Sequence, residues 1–258
     1  MTALLETRRL TRHFGGLRAI GDLSLSVNRG EILGVIGPNG AGKTTLFNLL
    51  TGIYPPSSGE ILFEDRPIAG LRPSEIARRG VARTFQNIRL FRQLTVLENV
   101  RIAYDSRLSC SPLGALLRTP HAGFCERESV DASVELLELF ELGSLAEKRA
   151  GDLSYGAQRR LEIVRALALD PKLLLLDEPA AGMNPSEAMQ LTDFLRWVHG
   201  KFLLTIVLIE HHMQMVMALS DRIEVLDFGV RIAGGKPDEV KGNPRVIEAY
   251  LGTEGELP

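Results

Sequence analysis

The stretch that most restricts the fold of this chain is "EILGVIGPNGAGKTTLFNLLT", Glu31 to Thr51. Apolar residues lead into glycines, and a helical run from Lys43 to Thr51 follows. Strand, glycine-rich turn and helix in that order read as part of a parallel α/β sheet. Gly37-Pro38-Asn39-Gly40-Ala41-Gly42-Lys43-Thr44 fits G-x-x-x-x-G-K-[ST], with Thr45 beside it. Backbone N–H groups at such a turn converge on an anion, and glycines let the chain approach phosphate oxygens. On this reading Lys43 reaches the β- and γ-phosphates of a nucleotide and the Thr44 hydroxyl is a Mg2+ ligand. The helix that starts near Lys43 adds its dipole.

A phosphate loop of this kind needs a metal-organising carboxylate on a neighbouring strand. "KLLLLDEP" supplies Asp177 at the end of an apolar run, with Glu178 next to it. Asp177 is then the Mg2+ partner, through water, and Glu178 the base that orients the attacking water. Two carboxylates there could instead cap the following helix, and Pro179 does mark a turn. Beside the phosphate loop the metal reading is preferred.

The remaining elements agree with a parallel core. "LSLSV" (Leu23–Val27) alternates as a half-buried strand does, and "EILFEDRPI" reads as strand and turn. "PSEIARRG" is a short helix stopping at Gly80, and "VARTFQ" a brief strand. From Asn87 to Gly151 helical patterns take over; Leu136, Leu139 and Phe140 fall at i, i+3, i+4. "KLLLLDEP" and "FLLTIVLIEH" are continuously apolar, as strands covered on both faces are, with the helix "SEAMQLTDFLRWVHG" between them. "DRIEVLDFGVRIAGG" reads as a hairpin turning at Asp227–Gly229. The fold class is α/β, a parallel core interrupted by a helical insert at roughly 87–160.

One stretch has no role in that scheme. "LSYGAQRRLEIVRAL", Leu153 to Leu167, opens with Ser154 and Gly156 before an amphipathic run. Free N–H groups at such a helix start suit an anion, although an ordinary capped helix looks the same. Composition narrows the partners. A net charge of −2 argues against general affinity for nucleic acid or anionic lipid. No apolar run approaches the roughly 20 residues that span a bilayer, and the N-terminus lacks a signal core. Cys110 and Cys125 lie in a Gly/Pro/Ser-rich segment and read as buried or idle thiols in a reducing compartment. These features lead us to expect a soluble cytoplasmic protein.

With "LSYGAQ" between the phosphate loop and "LLLLDEP", the chain resembles the ATP-binding subunits of ABC transporters along essentially its whole length. The resemblance implies a P-loop NTPase with a RecA-like core, an N-terminal antiparallel β subdomain and an inserted helical subdomain. One ATPase domain would span residues 1–258, with its core at about 1–86 and 160–240 and a helical tail at about 241–258. ATP and Mg2+ are the implied cofactors. Gln86 in "RTFQNIRLF" matches the glutamine that reaches Mg2+ and senses the γ-phosphate, and His211 in "LIEHH" the switch histidine. Phe14 in "RHFGG" falls where the family stacks an aromatic ring on adenine, though a core phenylalanine is the alternative. His212 should point to the other face and stay at the surface. The resemblance also gives Leu153–Gln158 a role: two subunits pair head to tail, and Ser154 and Gly156 contact the γ-phosphate held by the partner subunit's loop. Ala157 stands where the family usually has glutamine, and Asn184 in "EPAAGMNP" where it has aspartate. Neither change touches Lys43, Asp177 or Glu178, so an active ATPase is expected.

"RTFQNIRLFRQLTVLENV", "AAGMNP", the insert around Ser109–Phe124 and the tail "NPRVIEAYLG" are similar to the branched-chain amino acid importer ATPases. That group implies a sister or identical ATPase partner, two transmembrane permease subunits and an external solute-binding protein. It also implies a peripheral place on the cytoplasmic face of the inner membrane. Residues from Asn87 to Val100 would help form the groove for a permease helix, or Ile88, Leu90, Phe91 and Leu94 are local core. Urea, amide and lipopolysaccharide systems share most of these motifs, and a catalytically weak regulatory subunit is a further alternative. A translation or DNA-repair ATPase fits less well, because those carry two phosphate loops or long coiled coils.

Overall fold

In the computed structural model, residues 3–107 and 120–251 are described. The apolar run before the glycine loop forms β3 (Ile32–Ile36), buried at every position. It lies between two further parallel strands, β8 (Thr205–Ile209) and β9 (Arg222–Asp227). The six-stranded sheet continues outward through β7 (Leu173–Asp177) to β6 (Val81–Arg83), and on the other side to β10 (Val230–Gly235), in the order β10-β9-β3-β8-β7-β6. All neighbours are parallel except β9 and β10, the expected hairpin. Its turn uses positive φ at Phe228 and Gly229. A second, antiparallel sheet has the order β2-β1-β4-β5, from β1 (Ala3–Phe14), β2 (Leu17–Asn28), β4 (Ser58–Phe63) and β5 (Arg66–Pro67).

Alternation along the strands gives the parallel sheet two cores. Leu33 and Val35 of β3, Leu173 and Leu175 of β7, and Val207 and Ile209 of β8 join a cluster with α1 (Lys43–Leu50) and the antiparallel sheet. Ile36, Ile223 and Val225 face the other way, onto α7 (Met213–Leu219), α8 (Pro237–Lys241) and α9 (Pro244–Leu251). The helix expected between β7 and β8 is α6 (Pro185–Phe202), started by a capping box in which Asn184 and Glu187 exchange hydrogen bonds at 2.9 Å. The short helix before Gly80 is α2 (Pro73–Arg78).

The chain divides into two compact units, one from Thr84 to Pro171 and the other from the sequence on either side. The unit 84–171 holds α3 (Val96–Asp105), α4 (Pro120–Leu139) and α5 (Tyr155–Leu167). The expected apolar face of α4 holds at Phe140, which is buried just past the helix end, and is corrected at the other two positions. Leu139 is exposed and Leu136 half-buried, while Cys125, Ser129, Ser133 and Leu137 are buried. This stripe follows the i, i+4 spacing with two serines in it, so apolar periodicity alone does not find it. The thiol expectation is also corrected: Cys125 is buried and disulfide-bonded. Cys110 and most of the insert around Ser109–Phe124 fall outside the described residues.

Candidate functional site

Strand register assembles the site. Val35 of β3 and Asp177 of β7 both pair with Ile209 of β8, so three adjacent parallel strands end at one level. The loops that leave those ends carry the glycine turn, Glu178 and His211. Crevices at the carboxyl ends of parallel strands are where such sheets bind ligands. Here a pocket of about 350 Å3 is lined by residues that include Phe14, Asn39, Gly40, Ala41, Gly42, Lys43, Thr44, Thr45, Glu178 and His211.

The glycines at the loop's ends are required by close approach. A Cβ on Gly37, at φ 151°, would sit 2.0 Å from the Leu226 carbonyl oxygen; one on Gly42, at φ 98°, would sit 2.6 Å from that of Ala19. The hairpin turn supports the loop as well: Gly229 N–H donates to the Ala41 carbonyl at 3.0 Å. Lys43 is buried, and its ammonium donates to the carbonyls of Gly37 (2.6 Å) and Pro38 (2.9 Å). Burial pushes its pKa below the usual lysine value, and the negative charges of Glu178 and Asp177 oppose that shift. A buried cation at the start of a helix is a receptor for an anion.

Glu178 adopts a left-handed backbone, φ 47°, which costs conformational energy and is common at functional sites. Its Oε1 lies 2.7 Å from Nε2 of His211. Phe14 is 37% exposed at the pocket wall, so the core alternative does not describe it. Its ring meets Tyr54 edge-on at 5.1 Å, and the Arg12 guanidinium lies 4.6 Å from its centre. His212 is exposed at the start of α7, as expected. Asp177 is buried, and Thr44 is exposed in the first turn of α1. Among the described residues, no group of three or more His, Cys, Asp or Glu could hold a metal ion. The carboxylate of Asp177 and the hydroxyl of Thr44 are hard oxygen donors, too few for an all-protein cage and suited to a cation that would keep most of its waters.

In the unit 84–171, Gln86 and Ser154 are both exposed. Ser154 caps α5, its hydroxyl accepting from the Ala157 N–H at 3.4 Å. Gly156 has open space where a Cβ would go. Gln158 donates to the Leu153 carbonyl at 2.8 Å, so its side chain turns back on the loop. Of the four apolar residues after Gln86, Ile88, Leu90 and Leu94 are half-buried and Phe91 exposed, so none is a core residue.

Several residues that shape these sites do not stand out in the sequence. Fully buried Arg159 donates to the carbonyls of Phe85 (2.8 Å) and Gln86 (2.9 Å) and to Glu162 (2.8 Å). Glu162 accepts the N–H of Arg89 at 3.2 Å. Helix α5 therefore fixes the main chain around Gln86. Glu210 is buried and accepts three backbone N–H groups of the site loops. Tyr250 of α9 is hydrogen-bonded by the backbone of Gly37, and burial pushes its hydroxyl pKa up. The signals available were a carboxylate ending an apolar run for Glu210 and an i, i+3 charge pair for Arg159 and Glu162.

The ABC transporter family matches residues 20–181, well over half of the chain and including every element from the phosphate loop to Glu178. The chain belongs to the ABC transporter family. This cassette is an ATPase of that family, whose members pair with one another and with membrane permeases. A second family, described as branched-chain amino acid ATP-binding cassette transporter, matches residues 230–256. The cassette is 46% identical over 249 residues to the high-affinity branched-chain amino acid transport ATP-binding protein LivG of Salmonella typhimurium strain LT2, covering 96% of this chain and 98% of that protein. It is 45% identical to the corresponding protein BraF of Pseudomonas aeruginosa, with the same coverage. Among solved structures, an ABC transporter ATP-binding cassette in its ADP conformation superposes with a TM-score of 0.84 at 33% identity, covering 98% of this chain and 100% of that one. Among the described residues, no helix is long and apolar enough to cross a membrane.

Proposed function

We propose that this cassette powers import of branched-chain or related amino acids, working peripherally at the cytoplasmic face of the membrane beneath two permease subunits and beside a second cassette. The observation that carries the reading is one pocket joining a phosphate loop to the pair Glu178 and His211. LivG and BraF, whose names state branched-chain amino acid transport, support the substrate class. The chain would act as a single ATPase domain, in which residues about 87–160 form the helical subdomain and a short tail follows the core. An external solute-binding protein would deliver the cargo, and the segment from Asn87 to Val100 would receive a permease helix. Exposed Phe91 suits that contact.

ATP is the substrate, and the residues divide the work. The loop from Gly37 to Thr45 holds the phosphates through the backbone N–H groups of every residue but Pro38, with Lys43 at the β- and γ-phosphates and Phe14 stacked on adenine. Mg2+, when bound, neutralises charge on the phosphate oxygens; Thr44 and Asp177 would hold it, and Gln86 joins them on the strength of the family motif. Glu178 orients the attacking water and accepts its proton, while the bond from the γ-phosphorus to the β,γ-bridging oxygen breaks. His211, bonded to Glu178, fixes that carboxylate and contacts the γ-phosphate. Ser154 and Gly156 close the site from the partner subunit, so each complete site needs two chains. Loss of the γ-phosphate on hydrolysis removes that contact and opens the pair.

The test is reconstitution. The cassette is co-expressed with its neighbouring permeases and sister cassette, and ATP-dependent uptake of leucine, isoleucine and valine is measured in proteoliposomes with the solute-binding protein. Uptake that is lost on Glu178→Gln supports the reading. A complex that transports only other solutes would replace the substrate class and leave the ATPase assignment standing.

A further inference from the structure

Arg83 ends β6, and its guanidinium donates to Oδ2 of Asp177 at 2.7 Å. Both side chains are only 5% exposed. The other end of the guanidinium is anchored on the phosphate-loop helix: it donates to Asn48 Oδ1 at 2.7 Å and to Thr51 Oγ1 at 3.3 Å. Its charged centre also lies 5.4 Å from the centre of the Phe47 ring. The carboxylate assigned to the metal is therefore already half committed. Oδ2 is engaged by a buried, anchored cation, which leaves Oδ1 the favoured oxygen for an incoming ion or its water shell.

That geometry bears on which cation the site accepts. Mg2+ is bound through one carboxylate oxygen or through water and keeps most of its shell. Ca2+ favours larger coordination numbers, often with a bidentate carboxylate. An oxygen held by a buried arginine is a poor second ligand, because bidentate binding would bring the cation up against the guanidinium charge. We propose that Arg83 is a specificity-determining positioning residue: by holding Oδ2 of Asp177 it biases the nucleotide site toward one-oxygen metal contact and so disfavours Ca2+ relative to Mg2+. The inference rests on Asp177 serving the metal.

The experiment is Mn2+ displacement, followed by electron paramagnetic resonance, on the full chain saturated with a non-hydrolysable ATP analogue. Mg2+ and Ca2+ each compete for the Mn2+ site, and the ratio of their affinities is read with no catalysis involved. The ratio isolates geometry, because removing a positive charge near the site strengthens binding of both divalent ions alike. Arg83→Met should shift the Ca2+ to Mg2+ affinity ratio toward Ca2+ by about tenfold, since both oxygens of Asp177 become available. Arg83→Lys, which keeps a cation beside Oδ2, should hold the ratio near the wild-type value. Asn48→Ala leaves the buried charges balanced and removes only the anchor, so it carries the test even where Arg83→Met fails to fold. Its ratio should move the same way by a smaller factor. Unchanged ratios in the folded variants overturn the proposal. Asp177→Asn separates that failure from failure of the underlying reading: if it leaves Mn2+ binding intact, Asp177 does not serve the metal at all.

Discussion

Glu210 accepts the backbone N–H of Ala180 at 2.7 Å, tying the loop after β7 to the loop after β8. The same carboxylate accepts the N–H groups of His211 (2.9 Å) and His212 (3.1 Å). One buried side chain thus sets both the turn that carries Glu178 and the turn that carries His211. Glu210→Ala leaves one buried and two partly buried N–H donors without this acceptor, at a cost of about 2–4 kcal/mol of stability. Urea unfolding should show that loss, together with ATPase activity that falls in the molecules still folded. Stability within about 0.5 kcal/mol of wild type, the range of an ordinary surface change, would contradict this account.

Lys43 and Glu178 should separate binding from turnover. Lys43→Ala removes the buried ammonium and should abolish tight ATP binding. Glu178→Gln keeps the side chain's size and should bind ATP normally while losing turnover, because positioned charge of this kind contributes several kcal/mol to the barrier. Calorimetric titration with MgATP and steady-state hydrolysis at saturating MgATP measure the two. Equal turnover in Glu178→Gln and wild type removes Glu178 from the mechanism.

Phe14 gives a milder, graded test. An aromatic ring stacked on a base is worth roughly 1–3 kcal/mol by analogy with nucleic-acid stacking. Phe14→Ala should weaken ATP by that amount with little effect on stability, since the ring is partly exposed. Phe14→Tyr should bind as wild type does. An unfolded Phe14→Ala chain would return the ring to a core role.

The Arg159 network should be visible in amide exchange. Phe85 and Arg89 donate their N–H groups to Glu162, at 3.4 and 3.2 Å, and Arg159 holds Glu162 in place. Arg159→Met leaves a buried carboxylate without its partner, costing on the order of 3–5 kcal/mol. Protection at residues 85–89 should drop more than at the middle of α5. Uniform loss along the whole unit would mean that the residue supports stability without a local effect on the Gln86 segment.

Ser154 acting across a dimer predicts rescue between two inactive chains. Lys43→Ala breaks the phosphate loop, and Ser154→Arg breaks the signature. Each self-dimer then has two damaged sites. A mixed dimer concentrates both lesions at one interface and leaves the other intact, so mixing should restore part of the hydrolysis. Tag pull-down with ATP present establishes that mixed dimers form. Given that, no recovered activity means the helix cap acts only within its own chain.

Residues that are near one another along the chain could be read before any fold was known. The glycine turn, Lys43 and Thr44 are one continuous stretch, and the buried runs that became β7 and β8 are apolar at nearly every position. Those patterns reflect local rules: glycine where a Cβ collides, continuous apolarity where a strand is covered on both faces. β1 shows where local rules end. Its register shifts near Arg9, which has φ 48°, so buried positions lose the two-residue period that marks a strand. The face of α4 was hidden for a related reason, because serines occupy half of its stripe.

The rest depended on contacts between distant segments. Arg83 and Asp177 are 94 positions apart and meet because β6 and β7 pair in register. Glu210 reaches Ala180 across the ends of β7 and β8, 30 positions away. Tyr250 reaches Gly37 from the C-terminal helix. Sequence alone determined the chemistry available to this protein, since loop, carboxylates and histidine are set by residue type and order. The tertiary structure decided how that chemistry is held, because the energy of a buried ion pair or an accepted N–H depends on which groups the fold places together and shields from water.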